Sequence, residues 1–199
     1  QPFSKEFCAL QPKSAQARKL VQELVQQKNK NQICPPVYVR SDILQGKGMA
    51  SSSADISVTA MATALAMDYD LSLKELEQIC LSVEPTDASF YQGVTQFDYI
   101  KGTISKPLGM CPPLKILVFD EGGSIDTVSF NKQADLQNKI LEKESIIQES
   151  FDLFKQGLTT HDIKLIGQAA TLSAFGNQRI LYKPNLYDFH DVGNCYSSV

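Results

Sequence analysis

A glycine-rich turn that runs directly into an apolar segment constrains this chain more than any other feature. Residues 46–55 read Gly-Lys-Gly-Met-Ala-Ser-Ser-Ser-Ala-Asp, and the stretch that follows to Met67 is dense in Ala, Leu and Met without Gly or Pro. Residues 37–39, Val-Tyr-Val, precede the turn and are typical of a short strand. The sequence therefore predicts a strand, a glycine turn and a buried helix over residues 51–67.

Such a turn can hold a phosphate group. Glycine lets the backbone bend tightly and approach a ligand without a Cβ atom in the way. The first N–H groups of a helix lack intrahelical partners, and the positive end of the helix dipole lies beside them. The serines at 51–53 add hydroxyl donors, one of which can bind Mg²⁺, and Lys47 adds a positive charge. The alternative, an ordinary glycine turn before a Ser-capped helix, stays open.

Three better-known phosphate loops do not match. A Walker A loop requires a Lys directly after its second Gly, whereas Lys47 precedes Gly48. A dinucleotide-binding turn requires a third Gly where Ser51 lies. The glycine loop of protein kinases is accompanied by an H-R-D motif, which this chain lacks.

The loop resembles a known family at this point. Residues 47–54, Lys-Gly-Met-Ala-Ser-Ser-Ser-Ala, are similar to the second motif of the GHMP kinases (galactokinase, homoserine kinase, mevalonate kinase and phosphomevalonate kinase), whose core is G-L-G-S-S-A-A. Ala50 occupies the place of the second Gly of that core. With Val-Glu-Pro-Thr-Asp at 83–87, the loop is most similar to the branch that phosphorylates L-threonine in cobalamin synthesis and propanediol utilisation.

The resemblance implies an α+β fold with two domains. Residues 1–107 are expected to form the ATP-binding N-terminal domain, which is like domain 2 of ribosomal protein S5. Residues 108–199 are expected to form part of a ferredoxin-like C-terminal domain. The Pro- and Gly-rich stretch at 107–113 favours a boundary there. The family's first motif and its late glycine-rich loop are not found, so the chain is expected to be a fragment, incomplete at both ends.

The resemblance also implies roles for individual residues. Ser52 and Glu84 match the positions that bind Mg²⁺, and Asp87 matches the catalytic position facing the substrate hydroxyl. The residues expected to contact ATP are Gly46, Lys47, Gly48, Met49, Ala50, Ser51, Ser52, Ser53, Ala54 and Asp55. Phosphoryl transfer to an alcohol needs charge neutralisation and a carboxylate to accept the hydroxyl proton, and Glu84 and Asp87 could supply both. Alternatively, residues 84–87 are only a helix end followed by an Asp-capped turn.

The expected activity is ATP- and Mg²⁺-dependent phosphorylation of L-threonine to O-phospho-L-threonine. A GHMP kinase for another small alcohol such as homoserine, or a non-catalytic ATP-binding sensor, remains open. A net charge of -3 offers no long-range attraction to nucleic acid or to an anionic membrane. Five dispersed cysteines suit reduced thiols in a cytoplasmic protein. A homodimer is possible.

Periodicity predicts the remaining elements. Ser72 and Glu75 form a capping-box pattern that should begin a helix running to about Val83. The other predicted helices span residues 13–27, 133–156 with a stop at Gly157, and Thr160 to about Ala174. The predicted strands span residues 95–99, 114–119 and 128–130.

Overall fold

The computed structural model describes residues 10–28, 33–116, 118–120, 122–123 and 135–188. The chain divides into two compact units. The first comprises Gln1–Pro107 with Asp120–Ile125, and the second comprises Leu108–Phe119 with Asp126–Val199. The assignment of residues 1–107 and 108–199 to the two GHMP kinase domains stays a prediction.

Three helices build the core of the first unit: α1 (Pro12–Lys28), α2 (Ser51–Ala66) and α3 (Leu73–Val83). Each packs against the other two. The side chains of the core are Ala17, Val21, Val25, Ile56, Ala60, Ala64, Met67, Leu76, Ile79 and Cys80. Because α2 contributes Ala at two of these positions, its backbone lies close to its neighbours, which fixes the position of its N-terminus.

Helix α2 is confirmed where the sequence predicted it, but the expectation that it is buried on all sides is wrong. Val58, Met61 and Leu65 are exposed, and Leu65 reaches 81% exposure. Their spacing of three and four residues places them in one stripe along the helix. The apolar composition of α2 therefore reflects a helix with one packed face and one uncovered apolar stripe among the described residues.

The predicted start of α3 is confirmed in detail. The Ser72 hydroxyl accepts a hydrogen bond from the Glu75 backbone N–H, and the Glu75 side chain accepts one from the Ser72 N–H at 2.9 Å. This reciprocal capping satisfies two backbone donors that a helix start leaves unpaired. The helix ends at Val83, so that Glu84 lies at its C-terminus in an extended conformation.

A hairpin of two short strands follows, β1 (Val94–Phe97) and β2 (Ser105–Gly109). It is tied to α3 through Tyr91, whose hydroxyl accepts a hydrogen bond from the Ser105 hydroxyl of β2 at 2.6 Å and donates to the buried carboxylate of Glu77. Glu77 also accepts a hydrogen bond from Lys74 of its own helix. Burial alone would raise the pKa of Glu77, but these two donors outweigh it and the net pKa is lowered. Gly102, at a φ of 64°, comes so close to Glu77 that a Cβ atom would lie 3.0 Å from its carboxylate.

Two of the predicted strands are not found among the described residues. Residues 37–39 are irregular, and so are 114–116 and 118–119. A strand must pair its N–H and C=O groups with a neighbour, and the described residues contain only the β1–β2 ladder. The strand predicted at 128–130 lies outside the described residues.

The described part of the second unit contains α4 (Leu136–Glu142), α5 (Glu144–Thr160) and α6 (Ile163–Asn177), of which α5 and α6 pack together. The helix predicted over 133–156 is thus interrupted at Lys143. The ferredoxin-like C-terminal domain stays a prediction.

The sequence predicts that α5 stops at Gly157, but the helix continues past this residue. A Cβ atom there would lie 2.8 Å from Ile166, so this glycine permits the close approach of α6. The helix instead ends at Thr160, and His161, which follows it, adopts a left-handed conformation. Asp162, rather than Thr160, then caps α6, because its carboxylate accepts a hydrogen bond from the Lys164 N–H at 2.8 Å.

Among the described residues, no helix combines the length and apolar character needed to cross a membrane. Within the same residues, Cys34, Cys80 and Cys111 are free thiols, and burial raises the pKa of Cys80 to about 12.

Candidate active site

The glycine turn before α2 adopts a backbone that ordinary residues avoid. Gly46 and Gly48 have φ values of 71° and 70°, in the left-handed region where glycine carries no steric penalty. A Cβ atom on Gly48 would meet nothing within 4 Å, so the space beside this residue is open. Ala50, at a φ of 55°, adopts the same region despite its methyl group, at a cost on the order of 1 kcal/mol. The loop therefore holds a strained residue directly at the start of α2.

The N-terminus of α2 has no side-chain cap. Ala50 occupies the cap position and its side chain cannot accept a hydrogen bond. The first helical backbone bond runs from the Ala54 N–H to the Ala50 carbonyl at 2.9 Å. The N–H groups of residues 51–53 therefore have no partner within the helix. Uncapped donors at the positive end of a helix dipole are the arrangement that binds anions.

The structure brings together the residues predicted to bind Mg²⁺. Ser52 lies in the first turn of α2 and Glu84 lies just after α3, and the Ser52 hydroxyl donates a hydrogen bond to the Glu84 carboxylate. The Glu84 side chain is 15% exposed. The two oxygens are thus adjacent although 32 residues separate them in the chain.

This pair fits a magnesium ion that is shared with a phosphate group. Mg²⁺ in nucleotide sites takes one or two protein oxygens and completes its octahedron with phosphate and water. Within the described part of the chain, no group of three or more His, Cys, Asp or Glu side chains could hold a metal. Because their oxygens are in contact, Ser52 and Glu84 would supply the protein ligands at this place.

Lys13 completes this cluster, although no motif in the sequence marks it as a site residue. Its ammonium group donates to the Glu84 carboxylate and lies 3.4 Å from the Ser52 hydroxyl. Lys13 belongs to the first turn of α1, whose packing on α2 and α3 brings it here. Nothing in its neighbouring residues marks it, because the contact depends on how α1 packs. A cation thus already contacts both predicted metal ligands.

Asp87 lies close to the same helix end. Its backbone N–H donates to the Ser53 hydroxyl at 3.0 Å, while its carboxylate is exposed and makes no hydrogen bond or ion pair to another described residue. An exposed carboxylate without a partner among the described residues could accept a proton from an alcohol bound beside the glycine turn. The structure therefore places the predicted base, but not its substrate.

The Lys47 side chain pairs with Asp120 and not with a group of the glycine turn. The two groups form an ion pair at 2.7 Å, and the Gly122 N–H also donates to Asp120 at 2.9 Å. The Lys47 ammonium group holds the pKa of Asp120 below its usual value. For Lys47 to reach a phosphate, as the sequence predicted, it must exchange this carboxylate for the ligand.

A cavity of about 330 Å³ adjoins the loop. It is formed by the N-terminal ends of α1 and α2 together with the start of the glycine turn. The lining residues are Gln11, Pro12, Lys13, Ser14, Gln45, Gly46, Ser51, Ser52, Asp55 and Ile56. Four of the predicted ligand-binding positions (46, 51, 52 and 55) thus line this cavity.

Residues 15–93 match the model of the GHMP kinases N terminal domain. This segment is a GHMP kinase N-terminal domain. It contains the glycine turn, α2, Glu84 and Asp87, whereas Lys13 lies just outside it.

Two curated proteins are similar to the chain over about three quarters of its length. The L-threonine kinase of Salmonella typhimurium is 35% identical over 148 residues, which is 74% of this chain and 49% of that protein. The L-threonine kinase of Citrobacter freundii is 31% identical over 149 residues, 75% of this chain and 51% of that protein. The chain therefore spans about half the length of these relatives. No solved structure matches.

Proposed function

We propose that this chain belongs to an ATP-dependent kinase that phosphorylates the hydroxyl group of L-threonine. The observation that carries the proposal is the contact of Ser52, Glu84 and Lys13 at the uncapped end of α2. The GHMP kinase domain match and the L-threonine kinases at 35% and 31% identity support the same function.

The triphosphate of ATP would lie across the glycine turn. The backbone N–H groups of residues 51–53 and the dipole of α2 would stabilise its negative charge. The cavity beside Gln11 and Gln45 would receive the rest of the nucleotide. Lys47 and Lys13 are close enough to the turn to add positive charge once they leave Asp120 and Glu84.

Ser52 and Glu84 would hold a bound Mg²⁺, which would neutralise negative charge on the phosphates. The hydroxyl oxygen of threonine forms a bond to the γ-phosphorus while the bond from that phosphorus to the β–γ bridging oxygen breaks. The hydroxyl proton passes to the Asp87 carboxylate, and ADP leaves. Because such transfer is mostly positioning and charge stabilisation, fixed donors and one free carboxylate suffice on the protein side.

The wider setting of the reaction belongs to the same proposal. Phosphorylation of L-threonine would serve cobalamin synthesis in the cytoplasm, with ATP and Mg²⁺ as cofactors and a small amino alcohol as the substrate. A homodimer is compatible with this role.

The test is a product assay of the full chain with Mg²⁺, ATP and one amino alcohol at a time. We expect O-phospho-L-threonine by mass spectrometry, and a larger kcat/KM for L-threonine than for L-homoserine or L-serine. A preference for homoserine would replace threonine as the substrate. ATP binding without phosphorylation of any of the alcohols would instead support a sensor.

A further inference from the structure

Ser53 makes a contact unlike those of the other buried hydroxyls of α2. Ser57 and Thr59 donate to carbonyls one turn earlier in their own helix, at 3.0 Å and 2.6 Å. This is the common way for a hydroxyl in a helix to satisfy itself. Ser53 is equally buried, at 3% exposure, but its oxygen accepts the backbone N–H of Asp87 at 3.0 Å. Its hydroxyl thus joins α2 to residues 84–87, the acidic segment that follows α3.

The acidic segment is held through its backbone around Asp87. The N–H of Thr86, a residue only 1% exposed, donates to the Tyr99 carbonyl at 2.9 Å. The next N–H, that of Asp87, is the one bound by Ser53. The Asp87 carboxylate itself has no partner among the described residues. The location of Asp87 is therefore set by these two consecutive backbone N–H groups and not by contacts of its own side chain.

We infer that Ser53 is a positioning residue for Asp87. The Ser53 hydroxyl fixes the distance between Asp87 and the glycine turn and does not serve as a ligand of ATP. The inference rests on the proposed function, in which Asp87 accepts the substrate proton. It also refines the sequence prediction, which grouped Ser53 with the residues that contact the nucleotide.

Removal of the hydroxyl should affect turnover more than nucleotide binding. In a Ser53→Ala variant the N–H of Asp87 would face a buried methyl group, and an amide without its partner is costly enough to make the segment rearrange toward water. A displacement of about 1 Å at a reacting group can cost about 10²-fold in rate. The N–H groups of α2, Ser52 and Glu84 stay in place, so ATP affinity should change little.

The experiment compares Ser53→Ala with Ser57→Ala in the full chain. Both changes delete one buried hydroxyl from α2, one helical turn apart, but only the first breaks the link to Asp87. The readouts are amide hydrogen exchange at Asp87, kcat with L-threonine and Kd for ATP. We expect Ser53→Ala to speed exchange at Asp87 and lower kcat on the order of 10- to 100-fold with ATP affinity unchanged. Ser57→Ala should leave all three readouts near those of the wild type.

Equal kcat values for the two variants, or unchanged exchange at Asp87 in Ser53→Ala, would overturn the inference. A loss of ATP affinity that accounts for the loss of rate would assign Ser53 to the nucleotide instead. Ser53→Thr keeps the acceptor oxygen and should retain both exchange protection and turnover, which covers the case of an alanine variant that does not fold. A wild-type chain that phosphorylates no alcohol would remove the proposed function, and the exchange comparison would then decide on the Ser53–Asp87 link alone.

Discussion

The chemistry of the candidate site depends on single residues that the fold brings together from distant parts of the chain. Ser52 and Glu84 were assigned from a resemblance, and the structure independently places their oxygens in contact. Lys13 was not foreseen, because its contact follows from the packing of α1 on α2 and not from any local pattern. The proximity of Ser52 and Glu84 could therefore be predicted from a motif, whereas that of Lys13, which only helix packing brings about, could not.

The most direct residue-level prediction concerns Asp87. Asp87→Asn keeps the size and the backbone hydrogen bond of this residue but removes its ability to accept a proton. Loss of a general base costs about 10²- to 10⁴-fold in rate, so kcat with L-threonine should fall by that amount. The Kd for ATP, measured by calorimetry, should stay unchanged. A variant with wild-type turnover would remove Asp87 from the mechanism.

A second prediction concerns the positive charge of Lys13, whose side chain is 48% exposed. Lys13→Met should weaken ATP binding by about tenfold, since a charge-assisted hydrogen bond is worth about 1.5–3 kcal/mol and solvent at this half-exposed site reduces that value. Lys19→Met is the matched control. Lys19 lies on the same helix and, among the residues that the structure describes, pairs only with the exposed Glu23, at 3.6 Å. Equal ATP affinity of the two variants would contradict a role for Lys13.

At the scale of elements, most helices and one strand were predictable. The strand predicted at 95–99 is confirmed by β1, whereas those predicted at 37–39 and 114–119 are not found among the described residues. The capping box of Ser72 and Glu75 and the apolar spacing of α1 are local signals, and the structure confirms both. The apolar run at 114–119 has a strand-like composition, but strand formation depends on a partner at a distance in sequence. Likewise, no residue near Lys143 signals in the sequence that the predicted long helix is interrupted there.

The stability that Glu75 contributes at the start of helix α3 should decrease at acidic pH. Hydrogen bonds from the Tyr69 hydroxyl, then from the Ser72 hydroxyl and N–H, lower the pKa of Glu75 to about 2. In the unfolded chain this carboxyl has a pKa of about 4.3. The ionised group therefore stabilises the fold above about pH 4.3, and this contribution is lost as the pH falls toward 2.

We expect the urea midpoint of the wild type to fall between pH 5 and pH 2 more steeply than that of Glu75→Gln, which has no charge to lose. Glu144→Gln is a control with the same chemical change in another helix. If Glu75→Gln showed the wild-type pH dependence, the hydrogen bonds to Glu75 would not contribute to stability as described.

At the scale of the whole molecule, the stability of the first unit rests on the core shared by α1, α2 and α3. Leu76→Ala, at a position 3% exposed, should lower the free energy of unfolding by about 2–5 kcal/mol, because it leaves a cavity. Leu65→Ala makes the same change on the exposed stripe of α2, at 81% exposure, and should stay within about 0.5 kcal/mol. A large loss at Leu65 would show that the stripe is covered in solution.

The α+β class and the domain family of residues 15–93 followed from one ten-residue loop and its helix, because that motif combines backbone requirements with a fixed chemistry. The arrangement of helices in the second unit did not follow, since residues 136–177 carry no comparable motif. The chain spans about half the length of its curated relatives, and their activity is proposed for it on the grounds given above.

The central claim, that residues 46–55 with Glu84 hold the triphosphate, is tested most directly by a crystal structure of the full chain with Mg²⁺ and a non-hydrolysable ATP analogue. We predict phosphate oxygens against the N–H groups at the start of α2, a metal ion bound by Ser52 and Glu84, and Lys13 displaced from both. A triphosphate bound elsewhere, with the Lys13–Glu84 pair intact, would contradict this account.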